Sequence, residues 1–294
     1  MIRRLQLLLL TASMVLCQQS LLADPPPPRL TIATWNLEWF FDEHTGDTYS
    51  QLAREQAAPS REQWNWKRDG VAAAIAKMRP TIIALQEVEN QRVLFYLTTR
   101  LRKEHNLDYR IAFIQGKDYY TEQDVAILYQ HGLVEYGRRE PTEEMRASKQ
   151  YYDVQKHLLA RFQWGRGPEQ QSLHVLTAHF RAMPKAASLR QRQARLVRHW
   201  IGDLLRRGDQ VVVLGDFNTD LSFAETTAAS EMGILRALET AAVEDDLVDL
   251  HQFLPAHSRG THLMPGKQFD RILVSRSLLK DDTPQKKFVF RSIA

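Results

Sequence analysis

The run Val211-Val-Val-Leu-Gly-Asp-Phe-Asn-Thr-Asp220 constrains this chain more than any other stretch. Four apolar residues, three of them β-branched, read as a strand buried on both faces, and Gly215 lets the backbone turn out of the sheet. Side chains alternate along an extended segment, so Asp216 and Asn218 face one side and Phe217 the other. A carboxylate and a carboxamide then converge at the mouth of a buried strand. Alone, the pattern fits an Asx turn closing a strand as well as it fits a site. Three other strands end the same way, and they favour the site.

Leu30-Thr-Ile-Ala-Thr-Trp-Asn-Leu-Glu38 alternates, with Asn36 and Glu38 on one side of its end. Thr81-Ile-Ile-Ala-Leu-Gln-Glu87 is a second buried strand, delivering Glu87 on the side of Ile83 and Leu85. Leu173-His-Val-Leu-Thr-Ala-His179 puts Leu173, Val175, Thr177 and His179 on one face, with His179 last. More strands are read at 109–114, 124–129, 158–164 and 268–274, the last with Asp270 near its start; residues 287–293 also alternate like a strand. Helices are expected from Arg61, with Trp66, Val71, Ala74, Ile75 and Met78 at helical spacing and Pro80 as the stop, and at 90–104. A third runs from a Ser188 cap to 207 over a stripe of Leu196, Val197, Trp200, Ile201, Leu204 and Leu205; a fourth lies around 224–241. The arginines at 190, 192, 195 and 198 read as a solvated face except near the start of their helix. Residues 135–156 read as a charged, irregular excursion.

The ends belong to a different category. Arg3 and Arg4 precede the apolar run from Leu5 to Leu16, a secretory leader with cleavage expected after Ala23; lipid modification of Cys17 is the alternative. This predicts a periplasmic or secreted protein with no membrane span once the leader is removed. Cleavage takes away two arginines and no acid, so the formal charge of +4 becomes +2. That is not the footprint of a strongly basic nucleic-acid binder. The single cysteine leaves with the leader, so no disulfide can form within the mature chain. Residues 24–29, with Pro25-Pro-Pro-Pro28, read as a stiff spacer before one domain at 30–294. The 294-residue length and 44% apolar content suffice for one large α/β core.

Strands alternating with helices, each strand ending in a polar residue, predict a sheet whose ends assemble a site from Asn36, Glu87, His179, Asp216 and Asn218. Oxygen donors without cysteine favour a hard cation, Mg²⁺ with Mn²⁺ or Ca²⁺ as alternatives, over zinc. Such a cation beside a histidine and carboxylates suits phosphate ester hydrolysis.

Six segments in order, Thr34-Trp-Asn-Leu, Leu85-Gln-Glu-Val, Asp124-Val-Ala-Ile-Leu, Ala178-His-Phe-Arg181, Leu214-Gly-Asp-Phe-Asn218 and Phe269-Asp-Arg-Ile-Leu273, make the chain resemble the endonuclease/exonuclease/phosphatase superfamily, in its deoxyribonuclease I-like branch. The resemblance implies a four-layer α-β-β-α sandwich of two mixed sheets with helices outside. It implies Glu87 as the main metal ligand with Asn36 assisting, and Asp216 and Asn218 holding the attacking water and the phosphate. It implies His179 on the phosphate or the leaving oxygen, with Asp124 as the acidic partner that raises its pKa, and Arg181 as a phosphate contact. Asp270 matches the aspartate that orients a second histidine in the family. That histidine belongs to a Ser-Asp-His motif absent from this sequence, so the domain is expected to lack its last strand or strands. His251, His257 and His262 are the later histidines, and His262 lies on the loop before Asp270.

The function expected is a secreted metal-dependent phosphodiesterase, a nuclease on DNA, acting as a monomer. A phospholipid or sugar-phosphate esterase is the sibling reading, and an impaired copy that only binds metal and phosphate is the alternative from another class.

Overall fold

The structure, a computed structural model, describes residues 24–219, 225–280 and 288–294. The expected leader and Cys17 lie outside the described residues. The strands are β1 (Ile32–Phe40), β2 (Ile82–Val88), β3 (Arg110–Phe113), β4 (Asp124–Tyr129), β5 (Leu133–Gly137), β6 (Lys156–Trp164), β7 (Gln171–His179), β8 (Val211–Asp216), β9 (Leu247–Asp249) and β10 (Asp270–Ser275). The helices are α1 (Gln51–Gln56), α2 (Arg61–Met78), α3 (Gln91–His105), α4 (Glu143–Ala147), α5 (Ala187–Arg206) and α6 (Glu231–Arg236).

Two mixed sheets stack face to face, ordered β1-β2-β4-β3 and β5-β6-β7-β8-β10-β9. Each contains one parallel pair, β1 with β2 and β7 with β8, bounded by antiparallel neighbours. The alternation of apolar residues separates three cores. In β8, Val211 and Val213 face α5, while Val212 and Leu214 face the other sheet. In β2, Ile83 and Leu85 face α2 and α3, while Ile82 and Ala84 point inward. This is the expected helix-sheet-sheet-helix layering. Because strands buried on both faces carry no solvated side, their polar residues collect where the strands end.

Several local expectations give way to tertiary packing. In α2 the buried aromatic is Trp64, fully covered, whereas Trp66 is 81% exposed and Met78 lies half outside. Helix α5 starts at Ala187 after a 3₁₀ turn, with no side-chain cap from Ser188. Arg190, near the start of α5 and so outside the expected solvated face, is buried against Glu231 of α6 at 2.9 Å. The helix expected around 224–241 is the single short α6, ended by Ala237 in a left-handed conformation; Ala224 itself lies outside the described residues. Residues 288–294 form no strand. Phe288, Phe290 and Ile293 instead pack on the inter-sheet core, held by a hydrogen bond from Phe290 N–H to Leu278 O of 2.6 Å. The proline spacer is anchored too: Gly165 N–H donates to Asp24 O at 2.8 Å.

Candidate active site

The C-terminal ends of both parallel pairs lie at one end of the sandwich, as expected where βαβ connections leave strand ends open. Register puts His179 of β7 opposite Asp216 of β8, and Asp216 opposite Asp270 of β10. These three side chains continue the inward-facing rows of Thr177, Leu214 and Ile272. Beneath them Gln86 spans the sheets, donating to Thr177 Oγ1 and to Thr34 Oγ1, each at 3.1 Å. This polar layer, with Gln86 and Thr177 fully buried, fixes the spacing of the two sheets under the site.

Strict alternation would send Glu87 outward with Ile83 and Leu85, into the core under α2 and α3. The structure corrects that expectation. Glu87 adopts φ +61°, a left-handed conformation unusual for a non-glycine residue, and the ladder slips between Gln86 and Val88. The carboxylate is thereby turned inward. Its Oε1 accepts from Asn36 Nδ2 at 2.9 Å, and its Oε2 accepts from Trp39 N–H at 2.9 Å and from Gln123 Nε2 at 2.7 Å. The same Asn36 Nδ2 donates to Asp216 Oδ2 at 2.9 Å, so one carboxamide bridges the two sheets. His179 Nε2 lies 3.9 Å from both Glu87 Oε1 and Asp216 Oδ2. Asn218, at φ +50°, donates its backbone N–H to Asp216 Oδ1 at 2.8 Å and its side-chain amide to Phe180 O. Glu38 is exposed and takes no part beyond its N–H on Asn36 Oδ1.

The electrostatics follow from burial. Asp216 is 5% exposed, and desolvation raises its pKa despite the bonds from Asn36 and Asn218; the nearby Glu87 carboxylate adds to the rise. Asp270 is pushed up to about 7 by burial and by Asp216. His179, 6% exposed, titrates well below the ordinary imidazole range, first because it is buried and second because Lys156 lies beside it. Its imidazole is therefore neutral at pH 7.

Asp124 is not the partner of His179. Its Oδ1 accepts from Gly116 N–H at 2.8 Å and its Oδ2 from Gln115 Nε2 at 2.6 Å, and burial raises its pKa to about 7. It closes the β3–β4 connection instead. The residue opposite His179 is Lys156, which donates to Gln123 Oε1 at 2.8 Å and pairs with Asp118 at 3.0 Å. The chain Asp118, Lys156, Gln123, Glu87, Asn36, Asp216 is thus continuous. Lys156 and Gln123 carry no motif, and only a correct β6–β7 register would have brought Lys156 forward. Arg181 is exposed beyond the end of β7, with its backbone N–H on Gln193 Oε1.

Among the described residues no group of three or more histidine, cysteine or acidic side chains is arranged to hold a metal ion. The donor chemistry nonetheless fits a hard divalent cation. Asn36 holds the Glu87 and Asp216 carboxylates near one another, the Glu87 charge raising the cost of ionising Asp216, and Asp270 Oδ1 is buried without a hydrogen-bond partner.

This chain belongs to the Endonuclease/Exonuclease/phosphatase family, whose model matches residues 31–293. The family comprises hydrolases of phosphoric ester bonds that depend on divalent metal. Solved structures with the same fold include a humanised Danio rerio TDP2 (16% identity, 87% of this chain and 86% of that one, TM-score 0.54). The mannosyl-6-phosphatase of Bacteroides thetaiotaomicron aligns at 18% identity over 84% and 85% of the two chains, TM-score 0.51. The human nocturnin catalytic domain, solved with a bound sulfate anion, aligns at 13% identity over 84% and 82%, TM-score 0.50. A search among curated protein sequences returned no match.

Proposed function

We propose that this chain is a secreted, divalent-metal-dependent phosphodiesterase that hydrolyses nucleic acid by attack of water on phosphorus. The observation that carries the reading is the bridge from Glu87 through Asn36 to Asp216, with His179 Nε2 equidistant from both carboxylates. Glu87 and Asn36 would hold the cation, which, when bound, neutralises charge on the phosphoryl oxygens. Asp216, kept basic by burial, takes the proton of the attacking water; Asn218 fixes the orientation of that carboxylate. Neutral His179 donates a hydrogen bond to the phosphate or the leaving oxygen. Arg181, at the rim, contacts phosphate as a bidentate donor. Asp270, beside Asp216 on the ladder, keeps the carboxylate pair from both ionising without a cation.

A second reading, a sugar-phosphate or phospholipid esterase, is favoured by the near-neutral charge of +2 left after leader removal. Export is tested by fractionating expressing cells. The substrate is decided by offering plasmid DNA, sphingomyelin and bis(4-nitrophenyl) phosphate to the purified protein, with Mg²⁺ and with chelator. DNA cleavage that needs Mg²⁺ and falls about 10²- to 10⁴-fold in Asp216→Ala supports the nuclease. Hydrolysis of only the lipid or the small ester would replace it with the second reading.

A further inference from the structure

The loop between the 3₁₀ turn at Ala256–Ser258 and β10 contributes a side chain whose position the mechanism above leaves unused. Thr261 N–H donates to Lys267 O at 2.8 Å and Lys267 N–H to Met264 O at 3.3 Å, closing residues 261–267 into a compact turn. The turn is fastened to the site. Asp270 N–H donates to Thr261 Oγ1 at 3.0 Å, and Phe269 O accepts from Phe217 N–H at 2.9 Å, between Asp216 and Asn218. The His262 ring stands edge-on to Phe269, centroids 5.0 Å apart. The ring thus sits on a turn tied to Asp270, the ladder partner of Asp216. His262 is itself exposed, so it borders the site from the solvent side.

The tautomer is set by the turn. His262 Nδ1 accepts from Met264 N–H at 3.0 Å, which occupies that lone pair and leaves the proton of the neutral ring on Nε2. Protonating Nδ1 would break this bond. Nε2–H has no hydrogen-bond partner among the described residues. The floor of the site is rich in carboxylates, Glu87, Asp216 and Asp270, which repel a phosphate anion. An Nε2–H donor at the rim offsets that repulsion for one phosphoryl oxygen.

We propose that His262 is a substrate-contacting residue, donating Nε2–H to a non-bridging oxygen of the bound phosphoester. The proposal rests on the phosphoesterase reading. Its test compares wild type with His262→Ala and His262→Gln, the latter retaining an amide donor. Two quantities are measured in Mg²⁺: kcat/KM on bis(4-nitrophenyl) phosphate, and the affinity for inorganic phosphate by titration calorimetry. His262→Ala is expected to lower kcat/KM about 10²-fold, as loss of an oxyanion donor does, and to weaken phosphate binding about 10-fold. His262→Gln should recover most of both, with thermal midpoints unchanged because the residue is exposed. Wild-type values in His262→Ala would overturn the proposal, as would a His262→Gln variant as weak as His262→Ala. If wild type hydrolyses no ester, the functional reading fails, and the calorimetric comparison still decides whether His262 holds phosphate.

Discussion

Glu87, near the end of β2, and Asp124, the first residue of the antiparallel neighbour β4, lie at the same end of one sheet, yet they carry different roles. Glu87 is delivered by a left-handed kink into a network of donors, while Asp124 is consumed by the amides of Gln115 and Gly116. Asp124 is 2% exposed with its pKa raised from 3.8 to about 7 by burial, so the folded state binds its proton more tightly than the unfolded chain. The sign is therefore that its contribution is fullest below about pH 4 and is lost as pH rises through about 7. Asp124→Asn, which cannot ionise, should remove this loss, on the order of a few kcal/mol at pH 8 relative to pH 4. Urea denaturation at both pH values checks it, and an unchanged pH slope in the variant refutes the assignment.

At the level of elements, the parallel pair β7 and β8 depends on one glycine. Gly215 has φ +140°, and a Cβ there would lie 2.0 Å from Ala178 O. Gly215→Ala must therefore spread the two strands that carry His179 and Asp216, with an expected loss of roughly 3 kcal/mol or more and a matching loss of activity. Retention of the wild-type denaturation midpoint would show that the strands can part freely. Helix α5 supports the site differently. Arg190 pairs with Glu231 and also donates to Met183 O at 2.8 Å, holding the turn that bears Arg181. Arg190→Met leaves Glu231 buried and unpaired, which is destabilising by roughly 3–5 kcal/mol. The double variant with Glu231→Leu should regain stability while KM stays raised, because the Arg181 turn remains loose. A double variant with wild-type KM would separate Arg190 from the site.

For the whole molecule, the sandwich was legible because its strands are buried on both faces, and such runs announce themselves as apolar segments with polar ends. Alternation alone puts Asn36, His179 and Asp216 at the ends of their strands, whereas Asp270 enters the site through the family resemblance. Alternation sends Glu87 outward and the structure turns it inward, since a bulge is invisible to a period-two reading. The expected pairing of Asp124 with His179 fails because the partners of Asp124 lie eight and nine residues away in a loop rather than across the ladder, and only cross-strand register reveals Lys156. The resulting molecule concentrates raised-pKa carboxylates at one end of a folded core, and a divalent cation bound there would stabilise the native state and not the unfolded chain. At a concentration of 100 times Kd the gain is about 2.7 kcal/mol, which for a chain of this size moves the thermal midpoint by roughly 5–10 °C. Chelator-treated protein should show this rise with Mg²⁺ and not with an equal ionic strength of NaCl, and Glu87→Gln should abolish it. An equal rise in Glu87→Gln would place the cation elsewhere on the protein, because no other acid bridges through Asn36 to Asp216 among the described residues.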